Sequence, residues 1–506
     1  MLRSVWSVSS LLGGMGILLS GSGLLGITLG LRGVQENFGN LILGVVMSAF
    51  YIGYMAGAWV CPPLILRVGH VRAFASFAAS AAAISLAYGL AVGPVAWWCL
   101  RILNGIAIMG IYMVIESWLN ERTDSNRARI FALYMMINLS AIAVGQYLIV
   151  AQGTDGLGSF AIAAILFCLG LLPIALTPVR QPVPVESPRL SLRKLFRASP
   201  TGVAGAFGSG LVLGSFWALS AIFARSLGLD DLGVANFTAS AIIGGALLQW
   251  PIGWLSDRRD RREVLAWVCI AATIALSGMA FMELVAGPSP GRVWYVPLAF
   301  ATGAFIFSIY GLAVAQTHDR FPPSEALEAT RGLLLLHGIG ASTGPLVCGA
   351  IMQLLGSRGF PIALGVITVV VGAFCVVRVR RDPPLPPASR GSFAPVDQSS
   401  PGTIEPAPRA PATPFQAAAN PVPGDAEGAA AAPDAGQAAA VTGATDKASA
   451  PGAANAANAG NTGNTGNTTN AKNASDQAEA SGARPARRAG DATAVEDAKL
   501  VAETRA

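Results

Sequence analysis

Charge is scarce in this sequence. Only 12% of its 506 residues are Asp, Glu, Lys or Arg, whereas soluble proteins carry about 25%. Hydrophobic residues make up 53% of the chain. This composition argues strongly against a water-soluble enzyme and predicts that most of the sequence lies in lipid.

The chain also has few residues suited to catalysis or metal binding. Its three histidines, His70, His318 and His337, are far apart in the sequence, and none of its six cysteines belongs to a Cys-x-x-Cys pair. A membrane-embedded enzyme would need such side chains clustered at metal-ligand or nucleophile spacing. No Gly-x-x-x-x-Gly-Lys-Ser/Thr loop is present, so ATP is not expected to act directly. We expect no catalytic residues, no metal and no cofactor.

Long apolar runs fill the first three quarters of the chain. A bilayer core about 30 Å thick needs about 20 apolar residues per helix. The first run lacks a cleavage signal, so we interpret it as a retained span and not as a signal peptide. Twelve runs are long enough, near 8–31, 41–65, 73–92, 95–119, 129–151, 157–177, 201–225, 233–255, 264–286, 293–316, 330–355 and 359–377.

Basic residues are distributed unevenly between the loops. With the N-terminus inside, the cytoplasmic segments up to residue 381 hold twenty Lys and Arg residues and the opposite side holds four. Positive charges concentrate in cytoplasmic loops. We therefore predict a multi-pass protein of the bacterial inner membrane with both termini in the cytoplasm. The basic residues serve this topology and do not indicate a nucleic-acid partner.

The sequence divides into four parts. We predict an N-terminal six-helix bundle over 1–177, a cytoplasmic central loop over 178–200 and a C-terminal six-helix bundle over 201–381. The remainder, 382–506, is rich in Ala, Pro, Gly, Asn and Thr, and Phe393 is one of its two aromatic residues. Such a segment buries too little apolar surface to offset its ordering entropy. We predict a disordered cytoplasmic tail.

The two predicted bundles correspond weakly in sequence. Repeated six-helix halves are a transporter architecture, with the substrate site at the interface between the halves. An offset of 198 pairs Asn104 and Tyr112 with Thr302 and Tyr310, and an offset of 199 pairs Asn138 and Gly145 with His337 and Gly344.

Several motifs are similar to those of one family. The run GWLSDRRDRR at 253–262 resembles the loop signature Gly-x-x-x-Asp-Arg-x-Gly-Arg-Arg of the major facilitator superfamily, and RILNG at 101–105 resembles its fourth-helix Arg-x-x-x-Gly motif. ESWLN at 116–120 and QWPIG at 249–253 resemble the YcaD-like branch. The resemblance covers residues 1 to about 380 and implies the major facilitator fold of twelve transmembrane helices and the transport of a small molecule.

Some positions depart from the family pattern. The first-half loop has Leu66 at the position of the superfamily Asp, and the second-half loop has Asp260 in place of the Gly. The fifth helix has Gly145-Gln146 where drug antiporters carry Gly-Pro. The resemblance therefore implies transport but neither drug/proton antiport nor a particular substrate.

Arg101 is a charged residue within a predicted span. A charge at the bilayer centre costs at least about 2.5–3.5 kcal/mol, so such a residue is a functional candidate. Helical spacing places Arg101, Gly105, Tyr112 and Glu116 on one face, which we expect to line the central cavity. Arg101 would attract an anionic substrate group or hold a proton-coupling carboxylate. The alternative is an Arg that snorkels and bonds to backbone carbonyls.

Other polar residues of the spans complete the candidate site. His337 could protonate between pH 5 and 8, although a neutral buried His is the simpler interpretation. For Glu116, near the cytoplasmic end of its span, an interfacial loop anchor is the favoured interpretation. The candidate substrate and coupling residues are Arg101, Asn104, Tyr112, Glu116, Asn138, Tyr310 and His337.

The loop around Asp257 is a candidate for gating. In a state closed on the cytoplasmic side, the Asp257 carboxylate could accept hydrogen bonds from the N-terminus of span five, where free N–H groups and the helix dipole favour an anion. The alternative is a solvated acid in a loop that serves only topology. The gating residues are Asp257, Arg258, Arg261, Arg262 and, at the start of span five, Arg127.

These observations favour a secondary transporter that alternates access by rocking one bundle against the other. Proton coupling stays open, because carboxylates are scarce in the spans. An alternative function, of a different class, is that of a transporter-like sensor or assembly partner that acts through the tail. The expected partners are a small-molecule substrate, the lipid bilayer and, with coupling, protons; we expect a monomer.

Overall fold

A computed structural model describes residues 2–121, 127–176, 191–286 and 292–383, together with 386, 390, 391 and 393. Within these residues the chain is helical apart from short connections, and no strand occurs. The α-helices are α1 (Leu2–Gln35), α2 (Asn40–Val68), α3 (His70–Leu90), α4 (Pro94–Glu121), α5 (Arg127–Tyr147), α6 (Ile149–Gln152), α7 (Gly158–Ala175), α8 (Leu192–Ala198), α9 (Pro200–Ser226), α10 (Asp231–Arg258), α11 (Arg261–Ala286), α12 (Arg292–Ile306), α13 (Ser308–His318), α14 (Pro323–Leu355) and α15 (Gly359–Arg381).

Local sequence signals set several of the helix ends. Asp230 caps α10 by accepting the backbone N–H of Gly233 at 2.9 Å, which satisfies one free donor of the first turn. Pro200 occupies the first turn of α9, where its missing N–H costs nothing. Gly69 separates α2 from α3 at φ 84°, a backbone conformation that favours glycine.

Eleven stretches of the described chain are long and apolar enough to cross a membrane. The last of them, Glu325–Arg381, has 57 residues and would be about 85 Å long as one helix, against a bilayer core of about 30 Å. It contains two helices, α14 and α15, separated by a 3-10 turn at Gly356–Arg358. The stretches therefore supply twelve crossings, and the predicted all-α membrane fold is confirmed.

Two spans are interrupted, which the apolar runs did not predict. The fifth ends in a short separate helix, α6, and the tenth breaks at Phe307 between α12 and α13. The Gln249 side chain of α10 donates to the Phe307 carbonyl at 3.2 Å. This bond ties α10 to the backbone at the break.

Close helix crossings recur in the two halves. A Cβ on Gly105 of α4 would lie 2.1 Å from the Phe50 carbonyl oxygen of α2. A Cβ on Gly303 of α12 would lie 2.0 Å from the Ala241 carbonyl oxygen of α10. Backbones approach this closely only where a side chain is missing. The sequence offset pairs these two glycines, so the same crossing is built twice.

A second crossing repeats in the same way. A Cβ on Gly145 of α5 would lie 2.0 Å from the Ser20 carbonyl oxygen of α1. A Cβ on Gly344 of α14 would lie 2.3 Å from the Leu211 carbonyl oxygen of α9. These two glycines are also paired by the sequence offset.

We predict that Gly105→Ala strongly destabilises the protein whereas Gly26→Ala does not. The added methyl group at residue 105 would overlap the α2 backbone, and overpacking of this kind costs about 1–3 kcal/mol. A Cβ on Gly26 has nothing within 4 Å, so alanine there adds only helix propensity. Thermal unfolding of both purified variants tests this; equal melting temperatures would contradict it.

Hydrogen bonds join the two halves at one end of the bundle. We call the end that carries the loops after α2 and α10 the basic face, and the other end the opposite face. At the opposite face, Asn40 Nδ2 of α2 donates to the Met352 carbonyl of α14 at 3.3 Å. Tyr147 Oη of α5 donates to Asn236 Oδ1 of α10 at 2.9 Å. These hydrogen bonds join the halves on that side.

Candidate functional site

The Arg101 guanidinium is buried inside the N-terminal half. Its side chain is on α4, and the residue is 8% exposed. Nη2 lies 2.7 Å from the Met47 sulfur, and the guanidinium carbon lies 5.3 Å from the centre of the Phe50 ring, in range of a cation–π interaction. Within the described chain no carboxylate pairs with it, and Nε has no hydrogen-bond partner. Arg101 is therefore a buried cation that contacts a sulfur atom and an aromatic ring.

Two hydrogen bonds link α4 to α5 further along the same face. Tyr112 Oη donates to Asn138 Oδ1 at 2.9 Å. One turn towards the basic face, Tyr134 Oη donates to Glu116 Oε1 at 3.1 Å. Glu116 is only 4% exposed. The structure therefore places this carboxylate inside the bundle, bonded to a tyrosine, and not at a solvated interface.

The C-terminal half contains a matching pair. The Tyr310 ring of α13 and the His337 ring of α14 have centroids 4.8 Å apart. His337 Nδ1 also forms a hydrogen bond of 2.9 Å with Ser209 Oγ of α9. Tyr310 and His337 are the residues that the sequence offset pairs with Tyr112 and Asn138. Each half thus has a tyrosine against a polar side chain at the corresponding place.

Several buried polar atoms have no hydrogen-bond partner in the described chain. They include Asn104 Nδ2 and Thr302 Oγ1, at corresponding positions of the two halves, and also Thr28 Oγ1 and Gln146 Oε1. A buried polar group without a partner costs about 1–3 kcal/mol. These atoms can donate or accept hydrogen bonds when a polar molecule binds.

The structure brings the predicted residues together in two sets. Arg101, Asn104, Tyr112, Glu116 and Asn138 lie in the N-terminal half on α4 and α5, buried. Tyr310 and His337 lie buried in the C-terminal half. Each of the hydrogen bonds described above lies within its own half. The predicted α4 face is packed against α2 and α5.

The Asp257 carboxylate is engaged within its own half. Oδ1 accepts from Arg261 Nη2 at 3.1 Å and from the Phe393 backbone N–H at 2.8 Å. Arg258 stacks its guanidinium on the Trp254 ring, 3.4 Å from the ring centre. The backbone at Arg127 begins α5, but its side chain lies outside the described residues. The structure thus shows a different set of partners for Asp257 from the predicted latch.

Two further acids lie beside the paired arginines at the basic face. Arg261 Nε donates to Asp319 Oδ2 at 2.7 Å, and Arg262 Nη2 donates to Asp260 Oδ2 at 2.7 Å. Burial raises the pKa of Asp319 above its ordinary value, although the Arg261 charge opposes the shift. Burial also disfavours the Asp260 carboxylate, but Arg262 outweighs it and holds the pKa of Asp260 below its ordinary value.

Sequence reasoning missed four of these partners. Asp319 directly follows α13. The sequence signal that could have identified it is an acidic residue at the end of a predicted span, within a basic region. Tyr134 and Ser209 carry no motif and are brought to Glu116 and His337 only by helix packing. No sequence signal connects Phe393 with Asp257, which is 136 residues away.

The fold and the buried polar pairs define a multi-pass helical membrane protein built from two similar halves. The model of the Major Facilitator Superfamily matches residues 11–330, and the chain belongs to this superfamily of transporters. Its small-molecule transport and its place in a lipid bilayer follow at the level of the family.

Relatives and solved structures agree with this assignment. The chain is 29% identical over 327 residues to the uncharacterized MFS-type transporter YcaD of Escherichia coli O17:K52:H18 (strain UMN026 / ExPEC), covering 63% of this chain and 82% of the relative. The predicted resemblance to the YcaD-like branch is thereby confirmed.

Two solved transporters share the fold. The nucleoside transporter NupG superposes with a TM-score of 0.60 at 16% identity, covering 74% of this chain and 97% of NupG. A bacterial homologue of the human lysosomal transporter Spinster, in an inward-facing and unoccupied conformation, gives a TM-score of 0.57 at 15% identity, covering 75% of this chain and 96% of the homologue. At these identities the likeness concerns the fold alone.

Proposed function

We propose that this chain is a secondary active transporter that moves a small molecule by rocker-switch alternating access. The observation that carries the proposal is the paired construction of the interior. Tyr112 with Asn138 and Tyr310 with His337 occupy corresponding positions in the two halves. A substrate between the halves would meet polar groups of both, and rocking would expose it to one side at a time.

The structure supports a conformation that is open on the cytoplasmic side. Hydrogen bonds join the two halves at the opposite face, and the basic face carries the Arg-rich loops. We assign the basic face to the cytoplasm because cytoplasmic loops collect Lys and Arg. Both termini then lie in the cytoplasm, and the membrane is the bacterial inner membrane. We propose that the monomer is the transporting unit.

Arg101 is the proposed binding group for an anionic part of the substrate. A guanidinium is a fork of donors that matches carboxylate and phosphate. Here the residue is buried, contacts a sulfur and a ring, and has no paired carboxylate in the described chain. The neighbouring Asn104 Nδ2 is a second buried donor without a partner.

A competitive thermal-shift screen tests the proposed function. Purified protein is screened against metabolites and drugs, and compounds that raise the melting temperature are then tested for flux in proteoliposomes. We expect stabilising compounds to carry a carboxylate or phosphate and to cross the membrane. Stabilising compounds that bind without any flux would contradict a transporter and favour a sensor.

We expect Glu116 to carry protons in coupled transport. Its carboxylate is buried and bonded to Tyr134, so it can change charge as the site opens. Glu116→Gln should abolish accumulation driven by a pH gradient while exchange of substrate down its own gradient remains. Tyr134→Phe, which removes one hydrogen bond but keeps the acid, serves as the control and should stay coupled. Full coupling in Glu116→Gln would exclude this role.

We propose that Asp257 latches the cytoplasmic side in the conformation closed on that side. The helix dipole and free N–H groups at the start of α5, with Arg127, favour an anion there. In Asp257→Asn the charge is lost but an acceptor oxygen is kept for the Phe393 N–H. We expect this variant to populate the cytoplasm-open conformation more, as measured by spin-label distances across the basic face. Unchanged distances would remove the latch.

A further inference from the structure

A short segment beyond α15 returns to the basic face. We call its described residues, Arg390, Gly391 and Phe393, the strap. The Gly391 N–H donates to Asp319 Oδ1 at 2.9 Å, and the Phe393 N–H donates to Asp257 Oδ1 at 2.8 Å. Arg390 Nη1 donates to the Arg259 carbonyl at 2.8 Å. Three successive contacts thus bind the strap to the C-terminal half.

The Phe393 ring occupies a notch between α10 and α13. A Cβ on Gly253 of α10 would lie 2.1 Å from Phe393 Cδ1, and a Cβ on Gly311 of α13 would lie 3.2 Å from Phe393 Cζ. The ring packs against the apolar cluster that includes Ile252 and Leu312. Only glycine at residue 253 leaves room for the ring, so the notch and the aromatic side chain are complementary.

Two buried arginines hold the chain beyond α15. Arg261 binds the Gly391 carbonyl, Asp257 and Asp319 together. Arg262 donates to the carbonyls of Asp382 at 3.3 Å and Pro383 at 3.2 Å. Both guanidinium groups are almost completely buried. Arg261 thus places a fixed charge at Gly391 of the strap, whereas Arg262 holds the residues directly after α15.

We propose that the basic face of the C-terminal half is a peptide-docking site whose ligand is the chain's own strap, and that the docked strap favours the conformation open on that face. The second part rests on the proposed alternating access. Chemically, the ligand is an Arg-Gly-x-Phe segment. It is bound by the carboxylates of Asp257 and Asp319, by the buried Arg261 and by an apolar notch.

The contact with Asp257 connects docking to gating. Oδ1 of this carboxylate accepts from the strap and from Arg261 in the structure. The proposed latch needs the same carboxylate for the start of α5. While the strap is docked, its backbone occupies the approach to Asp257. Release of the strap frees the carboxylate for the latch, so docking and closure compete.

Docking itself is tested by cross-linking in the full-length protein, with Phe393 and Gly253 left unchanged. In a background with the six native cysteines replaced by alanine, Arg259→Cys is combined with Arg390→Cys, because the Arg390 side chain reaches the Arg259 carbonyl. The control combines Arg259→Cys with Phe415→Cys, which alters the other aromatic residue of the segment after residue 382. We expect a short bifunctional thiol reagent to cross-link the first pair and not the second. Equal cross-linking of both pairs, or no cross-linking of the first pair, would overturn the docking site.

The effect on conformation is tested by spin-label distances between Arg67→Cys and Glu328→Cys at the basic face. Phe393→Ala should lower the ratio of open to closed molecules roughly tenfold, as expected for losing the burial of one aromatic ring. Gly253→Ala, which fills the notch from the other side, should give the same shift. Phe415→Ala and Gly365→Ala are the controls and should leave the ratio unchanged.

The outcomes separate the two proposals. The cysteine pair could cross-link while the ratio of open to closed molecules stays unchanged in both Phe393→Ala and Gly253→Ala. That result would show that the strap docks but does not control the conformation. Cross-linking in a protein that shows one fixed distance in all variants would overturn alternating access and the strap's role in it, while the docking site would stand.

Discussion

Replacing Arg101 with methionine should stabilise the protein and abolish its response to ligand. An unpaired cation in the bilayer costs about 2.5–3.5 kcal/mol on insertion scales, and a cation–π contact returns about 0.5–2 kcal/mol. Methionine fits the same surroundings of Met47 and Phe50 without a charge. We expect thermal unfolding of Arg101→Met to occur a few degrees higher than in the wild type. Compounds that stabilise the wild type should lose at least about a hundredfold in affinity.

The control for this prediction is Arg261→Met. Arg261 is also buried, but it pairs with Asp319 and Asp257. Removing one partner of a buried pair leaves the other charge uncompensated and costs about 3–5 kcal/mol. This variant should unfold at a clearly lower temperature. A lower melting temperature in Arg101→Met, with ligand response retained, would show that Arg101 serves structure and not binding.

Cross-linking α2 to α14 at the opposite face should stop transport completely. The Asn40 side chain bonds to the Met352 carbonyl, so cysteines at these two positions can be bridged by a short bis-methanethiosulfonate, which forms a reducible disulfide with each thiol. A bridge would prevent the two halves from separating on that side. We expect flux of a compound found in the screen to fall to background after cross-linking and to return on reduction.

A pair within one half controls for the cross-linker. Arg32 Nη1 donates to the Thr154 carbonyl at 3.1 Å, and both residues belong to the N-terminal half. Bridging cysteines at these positions should leave flux nearly unchanged, because no movement between the halves is blocked. Full flux with α2 bridged to α14 would contradict a rocking mechanism.

Much of the fold follows from the sequence because its physical cause is local. The lengths of the apolar runs predicted twelve membrane crossings. The charges of the loops predicted the orientation of the helices in the membrane. The offset between the halves paired Tyr112 with Tyr310 and Asn138 with His337, and the structure shows these residues as two contacting pairs. Periodicity and composition are enough for conclusions of this kind.

The remaining features depend on contacts between distant parts of the chain. Gln249 of another helix bonds to the Phe307 carbonyl at the break in the tenth span, and nothing in the local apolar run marks this break. Composition predicted a disordered segment from residue 382, yet Gly391 and Phe393 contact the C-terminal half. A few complementary residues within a polar segment leave its average composition unchanged, so such a docking contact is invisible to composition.

Alternating access is tested most directly by measuring distances at both faces of the same protein in lipid nanodiscs. One labelled pair, Arg67→Cys with Glu328→Cys, reports on the basic face, and another, Leu41→Cys with Leu354→Cys, reports on the opposite face. We predict two distances for each pair. The fraction of molecules with a long basic-face distance should equal the fraction with a short opposite-face distance, at every pH examined. A single distance at both faces, or fractions that change in the same sense at both, would contradict the account.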